Sequence, residues 1–132
     1  MPLPRPLCTR LPSDLESELE ERFFELDWSA SRGLREIARE WLAVQRFPTI
    51  EFRDTPAGRR AGLRGGPEVW EVAAAAGPSR AMSAALGQRL AWVSAEALDE
   101  ALCYARASPD EIDRIILREE RLSSRRGSNP NS

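Results

Sequence analysis

The chain has 132 residues, enough for one ordinary domain or two very small ones. A chain of this length can bury only a modest hydrophobic core, so self-association is expected to matter for its stability. Its formal net charge is −2, which argues against indiscriminate binding to nucleic acid. All 19 basic residues are arginine. The sequence lacks histidine and lysine, and Cys8 and Cys103 have no companions at metal-ligand spacing. These absences remove the usual general-base, Schiff-base and nucleotide-loop chemistry, so we expect no catalytic residue, no metal and no cofactor.

The sequence has no segment typical of export or of a membrane span. The opening residues contain no long apolar run, and no later run approaches the length that crosses a bilayer. We therefore expect a soluble, cytoplasmic protein with reduced cysteines, no membrane partner and a disordered start over residues 1–6.

The first third of the chain predicts a strand followed by two helices. Leu7, Thr9 and Leu11 alternate with Cys8 and Arg10, the pattern of a short edge strand. A capping box, Ser13 with Glu16, predicts a helix over about 13–26, and Ser29 or Ser31 can begin a second helix that ends before Pro48. Leu34, Ile37, Trp41 and Leu42 form the apolar stripe of that second helix.

This order of elements resembles the ribbon-helix-helix family of small DNA-binding repressors over about residues 7–45. The resemblance implies a homodimer whose paired strands enter the major groove of operator DNA. It places Cys8 and Arg10 against the DNA and turns Leu7, Thr9 and Leu11 toward the helices. It also places a DNA phosphate at the backbone amides near Ser31, with Arg32 as a second contact to the sugar-phosphate backbone of the DNA.

Two residues depart from the family pattern. Pro6 shortens the ribbon, and Gly33 stands where the family carries a larger apolar residue. The alternative reading is an ordinary helical hairpin that follows a disordered proline-rich start.

The middle of the chain is rich in arginine and glycine. Two short strands, 50–53 and 60–64, are predicted with the loop 54–58 between them. Between residues 53 and 64 one acid, Asp54, stands against Arg53, Arg59, Arg60 and Arg64, a local charge of +3. This asymmetry suggests contact with an anion or an acidic partner, and a solvated turn is the alternative.

Helices dominate the remainder of the chain. Three short helices near 69–76, 80–87 and 94–107 could form a helix-turn-helix-like unit. The box Ser108-Pro109-Asp110-Glu111 begins a last helix that carries Ile112, Ile115 and Ile116. Residues 123–132 are predicted to be disordered. The predicted fold is thus mainly α: a ribbon-helix-helix-like segment (7–46), a short β-hairpin and a helix-turn-helix-like bundle (47–122).

Residues 46–122 are similar to the family catalogued as domain of unknown function four hundred thirty-three. The similarity lies in the turn at Gly58-Arg59-Arg60, the strand end at Gly65, the helix start at Val69-Trp70, the helix at 101–104 and the cap at 109–112. It implies a helix-turn-helix-like antitoxin of a type II toxin–antitoxin pair, with a PIN-like nuclease toxin as partner.

Such a nuclease gathers carboxylates around a metal, so arginine side chains suit its open site. The candidate partner-binding residues are Arg59, Arg60, Arg64 and Ile115, whereas Ile112 and Ile116 are better suited to closing the chain's own core. A helical protein–protein interaction module that does not bind DNA is the alternative function.

Overall fold

The computed structural model describes residues 5–127, and within them the chain is mainly helical with one antiparallel hairpin. The elements in chain order are α1 (Ser13–Glu25), α2 (Ala30–Arg46), β1 (Ile50–Thr55), β2 (Gly58–Leu63), α3 (Val69–Ala76), α4 (Ala84–Arg89), α5 (Ala95–Ala107) and α6 (Pro109–Gly127). The chain divides into two compact units, the first ending at Glu40 and the second beginning at Trp41. The division lies within α2, a few residues before the predicted boundary at 46–47.

The first unit confirms both predicted helices and corrects one of their caps. Pro12, and not Ser13, occupies the N-cap position of α1, and no side chain caps this helix. The predicted capping box of Ser13 and Glu16 is therefore wrong, because Ser13 already lies in the first turn. The second helix begins as expected, since Ser29 Oγ accepts a hydrogen bond from the amide of Arg32 at 3.1 Å.

A close contact between Phe23 and Gly33 joins the two helices of this unit. Both residues are buried, and a Cβ atom added to Gly33 would overlap the Phe23 ring. The absence of a side chain at Gly33 thus lets the aromatic ring lie directly against the backbone of α2. The departure from the ribbon-helix-helix pattern at this position has a packing reason in this chain.

The predicted strand at 7–11 does not form within the single chain. Residues 5–12 adopt neither helix nor strand, and Leu7 is fully exposed instead of facing the helices. Leu11 is half-buried, as the alternation predicted, whereas Thr9 is exposed. A lone strand has no partner for its backbone groups, so its pairing with a second copy stays a prediction. The predicted disordered start at 1–6 lies mostly outside the described residues.

The hairpin has longer strands and a tighter turn than predicted. Its register pairs Thr55 with Gly58 and Ile50 with Leu63, which leaves only Pro56 and Ala57 in the turn. Gly58 has a φ of 114°, a backbone conformation that favours glycine. The predicted loop over 54–58 is therefore wrong at both ends.

The second unit is built around a core to which the hairpin and helices α3, α5 and α6 contribute. Its largest fully buried side chains are Ile50, Leu63, Val69, Val72, Leu98, Leu102 and Ile112. Helix α3 matches its prediction, and Ser94 caps α5 by accepting the amide of Ala97 at 3.1 Å. Tyr104 is buried at the edge of the core, with its ring edge-on to Phe47 and Phe52.

Two helix predictions in this unit are corrected. The helix predicted at 80–87 begins only at Ala84, because Arg80 has a φ of 51° and Ser83 supplies the N-cap, accepting the amide of Leu86 at 3.1 Å. Helix α6 continues to Gly127, so residues 123–127 are ordered helix and not part of a disordered tail. Residues 128–132 of that predicted tail lie outside the described residues. None of the described helices is both long enough and apolar enough to cross a membrane.

Candidate functional site

The two residues predicted to read DNA bases lie in the exposed segment before α1. Cys8 and Arg10 are both exposed, and Arg10 lines a shallow groove of about 450 Å³ on the first unit. Leu11, Phe23 and Leu34 provide apolar walls of the same groove. Arg10 therefore combines an accessible guanidinium with an anchored neighbour, Leu11.

The predicted phosphate site lies at the beginning of α2. Ser31 is exposed in the first turn, where helix amides have no intrahelical partner. Ser29 Oγ already takes the amide of Arg32, so the free amides at this end are those of the residues just before it. The Arg32 guanidinium lies 5.0 Å from the centre of the Trp28 ring. That stacking holds the cation at the helix start without using its hydrogen-bond donors.

Most of the charge asymmetry of the hairpin is balanced in the folded second unit, because acids outside residues 53–64 pair with Arg53 and Arg60. Arg53 Nε lies 2.9 Å from Glu51 Oε1, and its guanidinium also donates to the carbonyl of Leu63. Arg59 Nη1 donates to Asp54 Oδ1 at 2.9 Å across the two strands. The local charge of +3 in the sequence is thus largely neutralised where it stands.

Arg60 is a structural residue and not an open partner contact. Its side chain is buried, and Nη2 lies 2.8 Å from Glu119 Oε1 on α6 while Nη1 lies 3.8 Å from Glu68 Oε2. Glu68 also accepts a hydrogen bond from Trp70 Nε1 at 2.8 Å. The assignment of Arg60 to partner binding is therefore wrong, since its guanidinium ties β2 to α3 and α6.

Arg64 is the hairpin arginine whose guanidinium points to an open surface. It is exposed and makes no side-chain hydrogen bond or ion pair with the part of the chain that the structure describes. It lines a groove of about 310 Å³ together with Trp92, which is 67% exposed, and the Gly65-Gly66 turn. This groove joins an available cation to an exposed aromatic ring, a pairing common at protein interfaces. Sequence reasoning singled out Arg64 and missed Trp92.

The three isoleucines of α6 divide as expected. Ile112 is buried in the core and Ile116 packs against it, whereas Ile115 is half-buried and stands outside the buried cluster. Ile112 and Ile116 therefore close the chain's own core, and Ile115 keeps some surface for a partner.

Helix α2 exposes most of its apolar stripe. Leu34 is 50% exposed, Ile37 42%, Trp41 63% and Leu42 56%, and we call these four residues the α2 face. The opposite side of the same helix supplies Ala43 to the second unit's core. Exposure of the apolar side of an amphipathic helix to water is unfavourable in free energy, and binding of a partner surface would remove that exposure.

Helix α6 carries a row of arginines that the sequence analysis did not single out. Arg114, Arg118, Arg121 and Arg125 are all exposed and line one shallow groove of about 370 Å³ with Leu117 and Leu122. We call these four arginines the α6 arginine row. Their spacing of four, three and four residues was the available signal, because it places them on one side of a helix.

The described residues contain no cluster of His, Cys, Asp or Glu arranged to hold a metal. Cys8 and Cys103 are both free thiols. Cys103 accepts a contact from the Arg106 guanidinium at 3.2 Å.

Comparison of the chain with family models, with curated proteins and with solved structures finds no match. The two family resemblances are therefore carried only by the residues quoted for them.

Proposed function

We propose that this protein is the antitoxin of a type II toxin–antitoxin pair, which neutralises a PIN-like nuclease and binds the operator of its own operon as a homodimer. The proposal rests on the two resemblances, and the α2 face is the observation of the fold that supports it best. Four large apolar side chains on one helix, each more than two-fifths exposed, indicate a surface that associates with protein.

Homodimerisation through residues 7–45 is the simplest use of the α2 face. A second copy would cover Leu34 and Trp41, and it would supply a partner strand for residues 7–11. In such a ribbon, Cys8 and Arg10 reach base edges while Ser31 and Arg32 contact a phosphate. The finer assignment of residues 7–46 to a ribbon-helix-helix unit belongs to this proposal.

The nuclease would bind to the second unit, whose finer assignment as a helix-turn-helix-like unit is also part of the proposal. Arg64 and Trp92 offer the better contact there, since their groove joins an available guanidinium to an exposed indole. Arg59 already donates a hydrogen bond to Asp54, and Ile115 adds apolar area at another part of the unit. Arg60 takes no part, because the fold uses it internally.

Co-expression with the PIN-like nuclease that the proposal places in the adjoining reading frame tests the proposal. The full-length chain should co-purify with the nuclease in a fixed ratio, and Arg64→Glu should weaken that complex more than Arg59→Glu. Both variants make the same charge change at an exposed hairpin position, so Arg59→Glu serves as the matched control. A chain that stays apart from the nuclease at equal expression would reject the antitoxin function.

The second candidate function is a helical interaction module that never touches DNA. The internal pairing of Arg53, Arg59 and Arg60 favours it, because the hairpin retains little of the positive charge that the sequence suggested. A chain that binds its partner protein but shows no preference for the operator over unrelated duplexes would select this function.

A further inference from the structure

We infer that the α6 arginine row is a second nucleic-acid contact, which binds the sugar-phosphate backbone of duplex DNA without reading its sequence. The row shares its ligand with the proposed function but uses none of the residues assigned above to operator reading. It therefore stands or fails separately from the ribbon.

The four arginines lie on one side of α6, opposite its buried side. At 3.6 residues per turn their positions fall within an arc of about 60° and extend about 16 Å along the helix. Ile112 and Ile116 lie on the other side of the helix, against the core. The row is thus held rigidly outward by the same packing that fixes the helix.

Most acids of α6 are engaged away from Arg114, Arg118 and Arg121. Glu119 pairs with Arg60 at 2.8 Å, Asp113 pairs with Arg80, and Glu111 accepts a hydrogen bond from the Tyr104 hydroxyl at 2.9 Å. Three carboxylates that could have faced the arginines are therefore engaged elsewhere in the fold. Glu120 is exposed and lies well outside the arc of the row, whereas Asp110 lies one turn before Arg114 near the edge of the arc and forms no ion pair within residues 5–127.

The guanidinium groups of the row keep donors available for a ligand. The side chains of Arg114 and Arg121 make no hydrogen bond or ion pair within residues 5–127. Arg118 uses one donor, from Nη1 to the carbonyl of Ala57 in the hairpin turn at 3.3 Å, and a guanidinium has five. That bond anchors the middle of the row against the turn.

The helix dipole accounts for Arg125, which lies in the last turn of α6, but not for the three arginines before it. Like charges four residues apart destabilise a helix by a few tenths of a kcal/mol per pair, and the row contains two such pairs, Arg114 with Arg118 and Arg121 with Arg125. A polyanion bound along the row would offset the repulsion between the arginines, because each guanidinium would then face a negative charge. The structure therefore favours an external ligand with repeated negative charges.

Duplex DNA fits the row better than an acidic protein does. One strand of DNA presents a phosphate every 3.4 Å or so along the helix axis, so about 16 Å of arginines can span several phosphates. Protein interfaces need an apolar centre, whereas the only strongly exposed apolar side chain beside the row is Leu117 among the described residues. Interfaces with DNA are more polar and more positive, as this surface is.

The test measures affinity for a mixed-sequence DNA duplex as a function of salt, by fluorescence anisotropy with the full-length chain. Each phosphate contact adds about −0.9 to the slope of log K against log salt. The Arg114→Gln, Arg121→Gln double variant should bind more weakly, with a slope about 1.8 less steep than that of wild type, so that its affinity falls about 12-fold less between 50 and 200 mM salt.

A matched control keeps the charge change constant. Arg89→Gln with Arg126→Gln also removes two exposed arginines, one of them on another side of α6, and it should leave the wild-type slope unchanged. Circular dichroism confirms that both double variants fold. Equal slopes for the two double variants would overturn the proposal, as would a wild-type chain that fails to bind the duplex at low salt.

Two further arms separate this proposal from the proposed function. Arg10→Ala should relax preference for the operator and keep most of the nonspecific salt slope, because it leaves the row intact. If the Arg114, Arg121 double variant instead loses the nuclease and keeps full DNA affinity, the row is a protein contact and the inference is wrong.

Discussion

The ring of Phe23 lies directly against Gly33, so the two helices of the first unit meet where α2 has no side chain. Glycine to alanine inside a helix normally stabilises a protein by about 0.5–1 kcal/mol. At Gly33 we expect the opposite sign, because the new methyl group would force the buried ring aside, a change that costs about 1–3 kcal/mol. Urea unfolding of Gly33→Ala followed by circular dichroism measures the difference in the free energy of unfolding.

Gly87→Ala is the matched control for this prediction. Gly87 lies in α4, where an added Cβ would meet only the end of the Met82 side chain at 3.9 Å. This change should be neutral or stabilising, as helix propensity alone predicts. A gain in stability for Gly33→Ala equal to that for Gly87→Ala would show that Phe23 does not need the glycine.

Removal of the Arg60 guanidinium should destabilise the second unit strongly. Arg60→Ala leaves Glu68 and Glu119 without the cation that lies between them, and breaking a buried pair in this way costs about 3 kcal/mol. Arg59→Ala removes an exposed pair with Asp54 and should cost less than about 1 kcal/mol. The midpoints of thermal unfolding of the two variants, compared with wild type, give the result. Equal midpoints for both variants would show that the fold does not depend on Arg60, and Arg60 would again be a candidate for partner binding.

The local sequence was sufficient to predict where helices begin in the second unit when a strong boundary residue marks the start. Ser94 and Pro109 mark the starts of α5 and α6 because a hydroxyl N-cap and a proline in the first turn act within a few residues. The start of α4 was misplaced since it depends on the left-handed backbone of Arg80. The carbonyl of this residue accepts Arg106 Nη1 at 2.6 Å, and its side chain pairs with Asp113.

The hairpin arginines show why the candidate site was harder to predict than the fold. A count of charges over residues 53–64 cannot include Glu119, which reaches Arg60 from the last helix. Long-range pairing of this kind exists only once the core is assembled. The α6 arginine row, in contrast, was available from its spacing alone, because helical periodicity is a local property.

Self-association through the α2 face predicts a clear effect of charge at Trp41. Trp41→Asp should convert a dimer into a monomer, because burying a carboxylate in an apolar interface is strongly unfavourable. Trp92→Asp changes a tryptophan of similar exposure, 67% against 63%, that lies outside the α2 face and should leave the dimer intact. Sedimentation velocity at micromolar concentration distinguishes the two. A wild-type chain that sediments as a monomer would reject both the proposed homodimer and the proposed two-stranded ribbon.

Operator recognition separates the roles of Arg10 and Arg32. Arg10→Ala should weaken binding to the operator and relax base preference, since a bidentate contact with guanine contributes about 1–3 kcal/mol of discrimination. Arg32→Ala should weaken binding to every sequence alike, as expected for a phosphate contact. Competition between operator and unrelated duplexes measures both effects. Indistinguishable affinities of wild type and Arg10→Ala for all duplexes would reject base reading by this segment.

The growth of cells that express the proposed PIN-like nuclease partner, with and without this chain, tests the central claim most directly. The nuclease alone should arrest growth, and the full-length chain at equal or higher level should restore it. The Arg64→Glu variant should restore growth less well than Arg59→Glu at matched expression. Continued arrest in the presence of soluble, folded wild-type chain would contradict the proposal that this protein is an antitoxin.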